Sequence, residues 1–141
     1  MTVVALMGAT ILFAQEDIVA TFQQGLTNAK AGNYTKAIEQ FNSVIDASWD
    51  IEEPNENQIK AIQGSKKFIV TCYNKMGVAA VNAKDYETAI ANFQQAADYA
   101  LLYEDMAAHN KNNTMIGQVY EVQGASAFNS EDYATAIAVF E

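Results

Sequence analysis

Three stretches of this chain say nearly the same thing. Gly32-Asn33-Tyr34-Thr35-Lys36-Ala37-Ile38-Glu39-Gln40-Phe41, Lys84-Asp85-Tyr86-Glu87-Thr88-Ala89-Ile90-Ala91-Asn92-Phe93 and Glu131-Asp132-Tyr133-Ala134-Thr135-Ala136-Ile137-Ala138-Val139-Phe140 share the pattern Tyr-x-x-Ala-Ile-x-x-Phe. Twelve residues before each alanine stands a glycine: Gly25 before Ala37, Gly77 before Ala89, Gly124 before Ala136. Each copy is thus about thirty residues of one supersecondary unit, and such a unit buries its apolar face only by stacking on its neighbours. A chain written this way is expected to fold as a row of helix pairs.

The composition agrees. One proline and seven glycines leave little punctuation for a many-stranded sheet. Long runs of Ala, Gln, Glu, Lys and Leu favour helix. Half of the 141 residues are apolar, enough for one domain with a real core and too few for two. The fold class expected is all-α. Seventeen acidic residues face eight lysines, with no arginine, for a formal charge of −9. Binding to a phosphate backbone needs cations that displace counterions, so nucleic acid is not an expected partner.

Thr2 to Ala14 begins the chain with an uncharged apolar run, followed at once by Gln15-Glu16-Asp17. It is too short to span a bilayer as a helix but has the length of a secretory signal core, and cleavage after Ala14 is expected. The alternative is a first helix buried on all sides. The domain reading is therefore a signal peptide over 1–14 and a helical repeat domain over 15–141, with export to the periplasm or cell envelope and no membrane span after cleavage; a cytoplasmic location is the alternative.

Ile18, Val19, Phe22, Leu26 and Ala29 recur at helical spacing, and Gly32 reads as the stop. Asn33 is placed to cap the second helix, whose apolar side carries Tyr34, Ala37, Ile38, Phe41, Val44 and Ile45. The acidic stretch Asp50 to Asn57 holds the only proline and reads as a solvated loop; it lacks the alternating ligands and central glycine of a calcium loop. Gln58 to Ala83 reads as one long helix, and Asp85 caps the next. His109-Asn110-Lys111-Asn112-Asn113 reads as a second loop. Thr114 to Asn129 then repeats the first helix of the pair, and Ser130 or Asp132 caps the last. The three repeats fall at about 17–49, 58–108 and 113–141. The last is cut short, and because a stack end without a polar cap leaves apolar surface open, the chain is expected to continue beyond Glu141.

The Gly, Ala and Phe positions of each copy, with Tyr34, Tyr86 and Tyr133, resemble tetratricopeptide repeats over about Asp17 to Phe140. The resemblance implies an α-α superhelix of three helical hairpins. Glycine would face alanine so that paired backbones approach closely, and phenylalanine would fill the space between one hairpin and the next. The period departs from the family's value of about 34 residues: Tyr34 to Tyr86 is 52 residues and Tyr86 to Tyr133 is 47. The tryptophan expected one turn before the glycine is replaced by Thr21, Tyr73 and Tyr120, and the proline that ends a repeat is absent.

In that family the first helices of successive repeats line a surface that binds peptides or proteins. Carried over, the positions facing it are Phe22, Leu26 and Lys30 in the first hairpin, Asn74, Val78 and Asn82 in the second, and Glu121, Ala125 and Asn129 in the third. No catalytic set accompanies them. His109 is the lone histidine, expected as an exposed loop residue, and Cys72 is the lone cysteine, expected in the core, so neither a triad nor a paired-cysteine metal site can be drawn. No cofactor is expected. The function expected is a non-catalytic scaffold for protein or peptide binding. The alternatives are the helical supporting region of an exported carbohydrate-binding protein and the helical domain of a larger enzyme.

Overall fold

The computed structural model describes residues 18–140, so the apolar run and the expected cleavage after Ala14 lie outside the described residues. Among these residues there is helix and no strand. The helices are α1 over 18–30, α2 Tyr34–Ser48, α3 Glu56–Asn82, α4 Tyr86–Leu102, α5 Met106–Asn129 and α6 Tyr133–Phe140. The fold is all-α and built of helical hairpins. It divides into two compact units, one ending at Cys72 and one starting at Tyr73.

One turn motif makes every connection except that between α2 and α3. Three residues separate the helices, and the middle one takes the left-handed conformation: Gly32 at φ 80°, Lys84 at 58°, Glu104 and Glu131 at 62°. The next residue sends its N–H back to a carbonyl five positions earlier, from Asn33 to Asn28, Asp85 to Ala80, Asp105 to Ala100 and Asp132 to Ala127, at 2.8–3.0 Å. These bonds satisfy carbonyls that the helix end would leave orphaned. In the last three turns the same residue is an aspartate that opens the following helix. Its carboxylate accepts the N–H of Thr88, Ala108 or Thr135 at 3.1, 2.9 and 3.2 Å. Asp132, rather than Ser130, is the cap of α6. Asn33 begins α2 without a side-chain capping bond, contrary to the expectation from its residue type.

This motif corrects the second expected loop. The chain turns at Tyr103-Glu104-Asp105, and α5 starts at Met106, so His109 to Asn113 lie on a helix. The left-handed position is held by a glutamate, which carries none of glycine's turn signal, while the polar run that suggested a loop fills the fourth to eighth residues of α5. The α2–α3 connection is different in kind. It spans residues 49–55 with Pro54, and Asn55 then caps α3 by accepting the N–H of Asn57 and Gln58, both at 3.0 Å, while Gln58 Oε1 accepts the N–H of Asn55 at 2.8 Å. This reciprocal capping box starts α3 at Glu56, two residues before the expected position.

In the first unit Ile18, Val44 and Ala61 are buried together, with Phe22 and Ile62 against them. Phe41, with no exposed surface, stacks on Phe68 of α3 at 5.6 Å and tilts against Phe22 at 5.8 Å. Polar side chains close the α1–α2 hairpin: Asn28 donates to Gln40 at 2.8 Å, and Gln40 to Gln24 at 3.1 Å. In the second unit Phe93 packs with Ala80, Ala89 and Val119, and Met115 and Ile116 of α5 cover the same cluster. Phe41 therefore joins the first hairpin to α3, and Phe93 the second to α5.

The nearest atoms to a side chain at these glycines belong to those rings. A Cβ on Gly25 would stand 2.5 Å from the Phe41 ring, and one on Gly77 2.6 Å from the Phe93 ring; Gly124 is under the ring of Phe140 in the same way. The repeated spacing encodes a ring seated on bare backbone. No described helix is long and apolar enough to cross a membrane.

Candidate functional site

A shift of 47 residues maps the second hairpin onto the third: Gly77, Ala80, Val81, Tyr86, Ile90 and Phe93 become Gly124, Ala127, Phe128, Tyr133, Ile137 and Phe140. Across the second hairpin lies α5, which lays Met115, Ile116 and Val119 over Phe93, Ile90 and Tyr86. The matching surface of the third hairpin is bare among the described residues. Phe93 is 1 % exposed and Phe140 64 %; Phe128, Tyr133 and Ile137 are also more than half exposed. Together with Gly124, Ala125 and Asn129 they line an apolar cleft of about 760 Å³ between α5 and α6. Phe128 and Tyr133 meet edge to face at 5.6 Å at its rim.

A smaller cleft of about 200 Å³ lies between α3 and α5, with Val78 and Asn82 on one side and Met115, Gln118 and Val122 on the other. Both clefts are walled by side chains with no reactive group. What they offer chemically is apolar area with a few amides at the edge.

Of the nine residues expected on the binding face, four line these clefts: Val78 and Asn82 the smaller, Ala125 and Asn129 the larger. Glu121 is exposed on α5 and Lys30 on α1, while Leu26 and Asn74 are half-buried. Phe22 is half-buried and packs against other rings. Its ring lies 5.8 Å from Phe41 and 6.2 Å from Phe68 and over Gly64, where a Cβ would come within 2.5 Å of it. The residues that sequence reasoning missed are the apolar walls, Phe128, Tyr133, Ile137 and Phe140. The signal was present in the 47-residue register.

No charged side chain lines the larger cleft. Glu121 on α5 and Glu131 and Asp132 in the α5–α6 turn are exposed. The carboxyl groups of Asp85 and Asp132 are held below their ordinary value by hydrogen bonds from the side chains and then the backbone N–H groups of Thr88 and Thr135.

The groups with chemical potential are elsewhere and engaged. His109, expected in an exposed loop, is half-buried on α5; its Nδ1 lies 2.9 Å from the Ala97 carbonyl and its Nε2 3.0 Å from the Asn113 amide. That pairing fits a neutral ring donating through Nδ1 and accepting at Nε2. It pins the start of α5 to α4. Burial pushes the Cys72 thiol up to about 11, which suppresses the thiolate that any nucleophilic role needs. Tyr73 stacks on Tyr99 at 5.6 Å, and its hydroxyl is raised by burial and then by the neighbouring Tyr99. Among the described residues no three His, Cys, Asp or Glu side chains come together to hold a metal ion.

No family model, curated protein or solved structure matches the chain.

Proposed function

We propose that this chain is a non-catalytic helical-repeat scaffold, of the tetratricopeptide kind that its Gly, Ala and Phe positions resemble, which binds a protein or peptide through the second and third hairpins. The observation that carries the reading is the pair of open clefts whose walls are apolar and whose edges are amides. Surface of that composition is costly to leave in water and marks contact sites. The engagement of His109, Cys72 and Tyr73 in packing favours it over a catalytic reading. Export belongs to the same proposal and rests on the apolar run Thr2 to Ala14 followed by Gln15; a mature protein beginning at Gln15 supports it, and one retaining Met1 counts against it.

The binding reading is tested by site-directed photo-crosslinking of the full chain in its native cells. A photoreactive residue at Val78, Asn82, Ala125 or Asn129 should trap a discrete partner. The same residue at the exposed Glu39 or Glu87, outside both clefts, should not. Equal labelling at all six positions, or none at the four, rejects the scaffold.

A further inference from the structure

We propose that Tyr73 and Tyr99 form an oxidative cross-linking site, at which hydrogen peroxide, activated by a haem or other metal catalyst, joins the two phenols through a carbon–carbon bond and so staples α3 to α4. The proposal stands apart from the scaffold reading, which requires no modification of the chain.

The way the two rings are held carries it. Tyr73 lies in the second half of α3 and Tyr99 in α4. Their centroids are 5.6 Å apart and their planes 20° from parallel. Rings stacked in this way stay in contact, so two phenoxyl radicals formed there need no diffusion to find each other. The hydroxyls sense each other as well: burial, and then the neighbouring Tyr99, raise the Tyr73 hydroxyl above its ordinary value. Both residues are half-buried, open to a small oxidant yet screened from the tyrosines of other molecules. Tyr103 tilts against Tyr99 at 5.8 Å and 40°, but a bond between residues one turn apart would tie no second helix.

Composition leaves the chain few other staples. A single cysteine excludes an internal disulfide, and Cys72 is buried besides. Tyr73 to Tyr99 is 26 residues, so a bond between them closes the α3–α4 hairpin well away from its turn at Lys84. Closing a loop of that length removes freedom from the unfolded chain, as a disulfide does.

The chemistry balances. Each phenol gives up one electron and its hydroxyl proton and becomes a phenoxyl radical. The radicals couple at ring carbons ortho to oxygen. The hydrogen on each of those carbons then moves through water to the oxygen, which restores the phenol. The protein has lost two electrons and two protons, and these convert the peroxide into two molecules of water.

The test treats the full chain with hydrogen peroxide and a haem peptide small enough to reach half-buried phenols. At about 1 µM protein, against an effective concentration of about 1 mM for a contacting pair, the internal product should exceed intermolecular ones at least about tenfold. Tandem mass spectrometry should find the peptides of Tyr73 and Tyr99 joined with the loss of two hydrogen atoms. Tyr99→Phe keeps a ring in the stack without a phenol, and should lower the dityrosine fluorescence of the monomer at least about tenfold. Tyr120→Phe, at a position 42 % exposed, should leave it unchanged, and circular dichroism should find both variants as helical as the parent. The stapled monomer should melt at least about 5 °C above the untreated chain, and oxidised Tyr99→Phe should not. Cross-links found only between molecules, a product that joins Tyr99 to Tyr103 instead, undiminished fluorescence in Tyr99→Phe, or an unchanged melting temperature of the linked monomer overturns the proposal.

Discussion

The ring of Phe93 occupies the space where Gly77 would carry a side chain: a Cβ there would come within 2.6 Å of Cε1. The ring is central to the cluster that joins α3, α4 and α5. Gly77→Ala must therefore displace it, and overpacking of this kind costs about 1 to 3 kcal/mol. Gly117 supplies the contrast. It sits within α5 with nothing within 4 Å of a Cβ, so Gly117→Ala should stabilise by up to about 1 kcal/mol through helix propensity. Urea denaturation of the two variants should give changes of opposite sign. A destabilised Gly117→Ala, or an unaffected Gly77→Ala, would contradict the assignment of one glycine to contact and the other to chance.

The same ring tests whether the third hairpin is uncovered. Phe93→Ala removes a side chain that is 1 % exposed and should cost about 3 to 5 kcal/mol. Phe140→Ala alters the equivalent ring at 64 % exposure and should cost about 1 kcal/mol or less, since little area leaves water there. Equal losses in thermal or chemical denaturation would mean that the α5–α6 surface is buried in solution.

Much of this was written in the sequence, and the places where it was not have physical causes. The Tyr-x-x-Ala-Ile-x-x-Phe copies and their glycines placed the helix pairs, because a buried phenylalanine and a residue without Cβ are severe constraints at fixed spacing. The start of α5 was hidden because Glu104, a helix former by propensity, sits at φ 62°, held by capping on both sides. Asn112, read as loop, is fully buried on α5 and returns its amide to the Ala108 carbonyl at 2.8 Å. Phe22 turned inward because Gly64 leaves a recess for its ring, and no pattern within α1 reports what α3 lacks. Open apolar surface on the last hairpin was expected from its uncapped end; which residues wall it was not, because Phe140 and Phe93 are the same residue in the same motif and only their neighbours differ.

The left-handed turns make a prediction with a built-in control. Lys84, Glu104 and Glu131 hold a conformation in which Cβ crowds the following carbonyl, at about 1 to 2 kcal/mol each. Glycine relieves that strain but adds about 0.5 to 1 kcal/mol of unfolded-chain entropy. Glu104→Gly should then raise stability slightly, by between about 0 and 1.5 kcal/mol. Gly32, at φ 80° in the equivalent turn, should behave oppositely, with Gly32→Ala losing about 1 kcal/mol. Melting temperatures of the pair suffice. A fall for Glu104→Gly and a rise for Gly32→Ala would show that the two turns are not the same motif.

Acid sensitivity follows from the caps of α4 and α6. Bonds from Thr88 and Thr135 lower the carboxyl groups of Asp85 and Asp132 below the ordinary 3.8. A group that holds its proton less tightly when folded than when unfolded contributes its full stabilisation above the unfolded value. That contribution drains away as pH falls from 3.8 through the lowered folded value. Asparagine accepts the same N–H bonds and has no proton to take up. The double variant Asp85→Asn/Asp132→Asn should therefore melt close to the parent at neutral pH but lose stability less steeply below about pH 4. Thermal scans by circular dichroism across that range read both quantities. Parallel acid profiles for parent and variant would show that these two caps carry no part of the pH dependence, whereas a large loss at neutral pH would mean that the carboxylate charge at the helix start, and not the hydrogen bond, holds the turn.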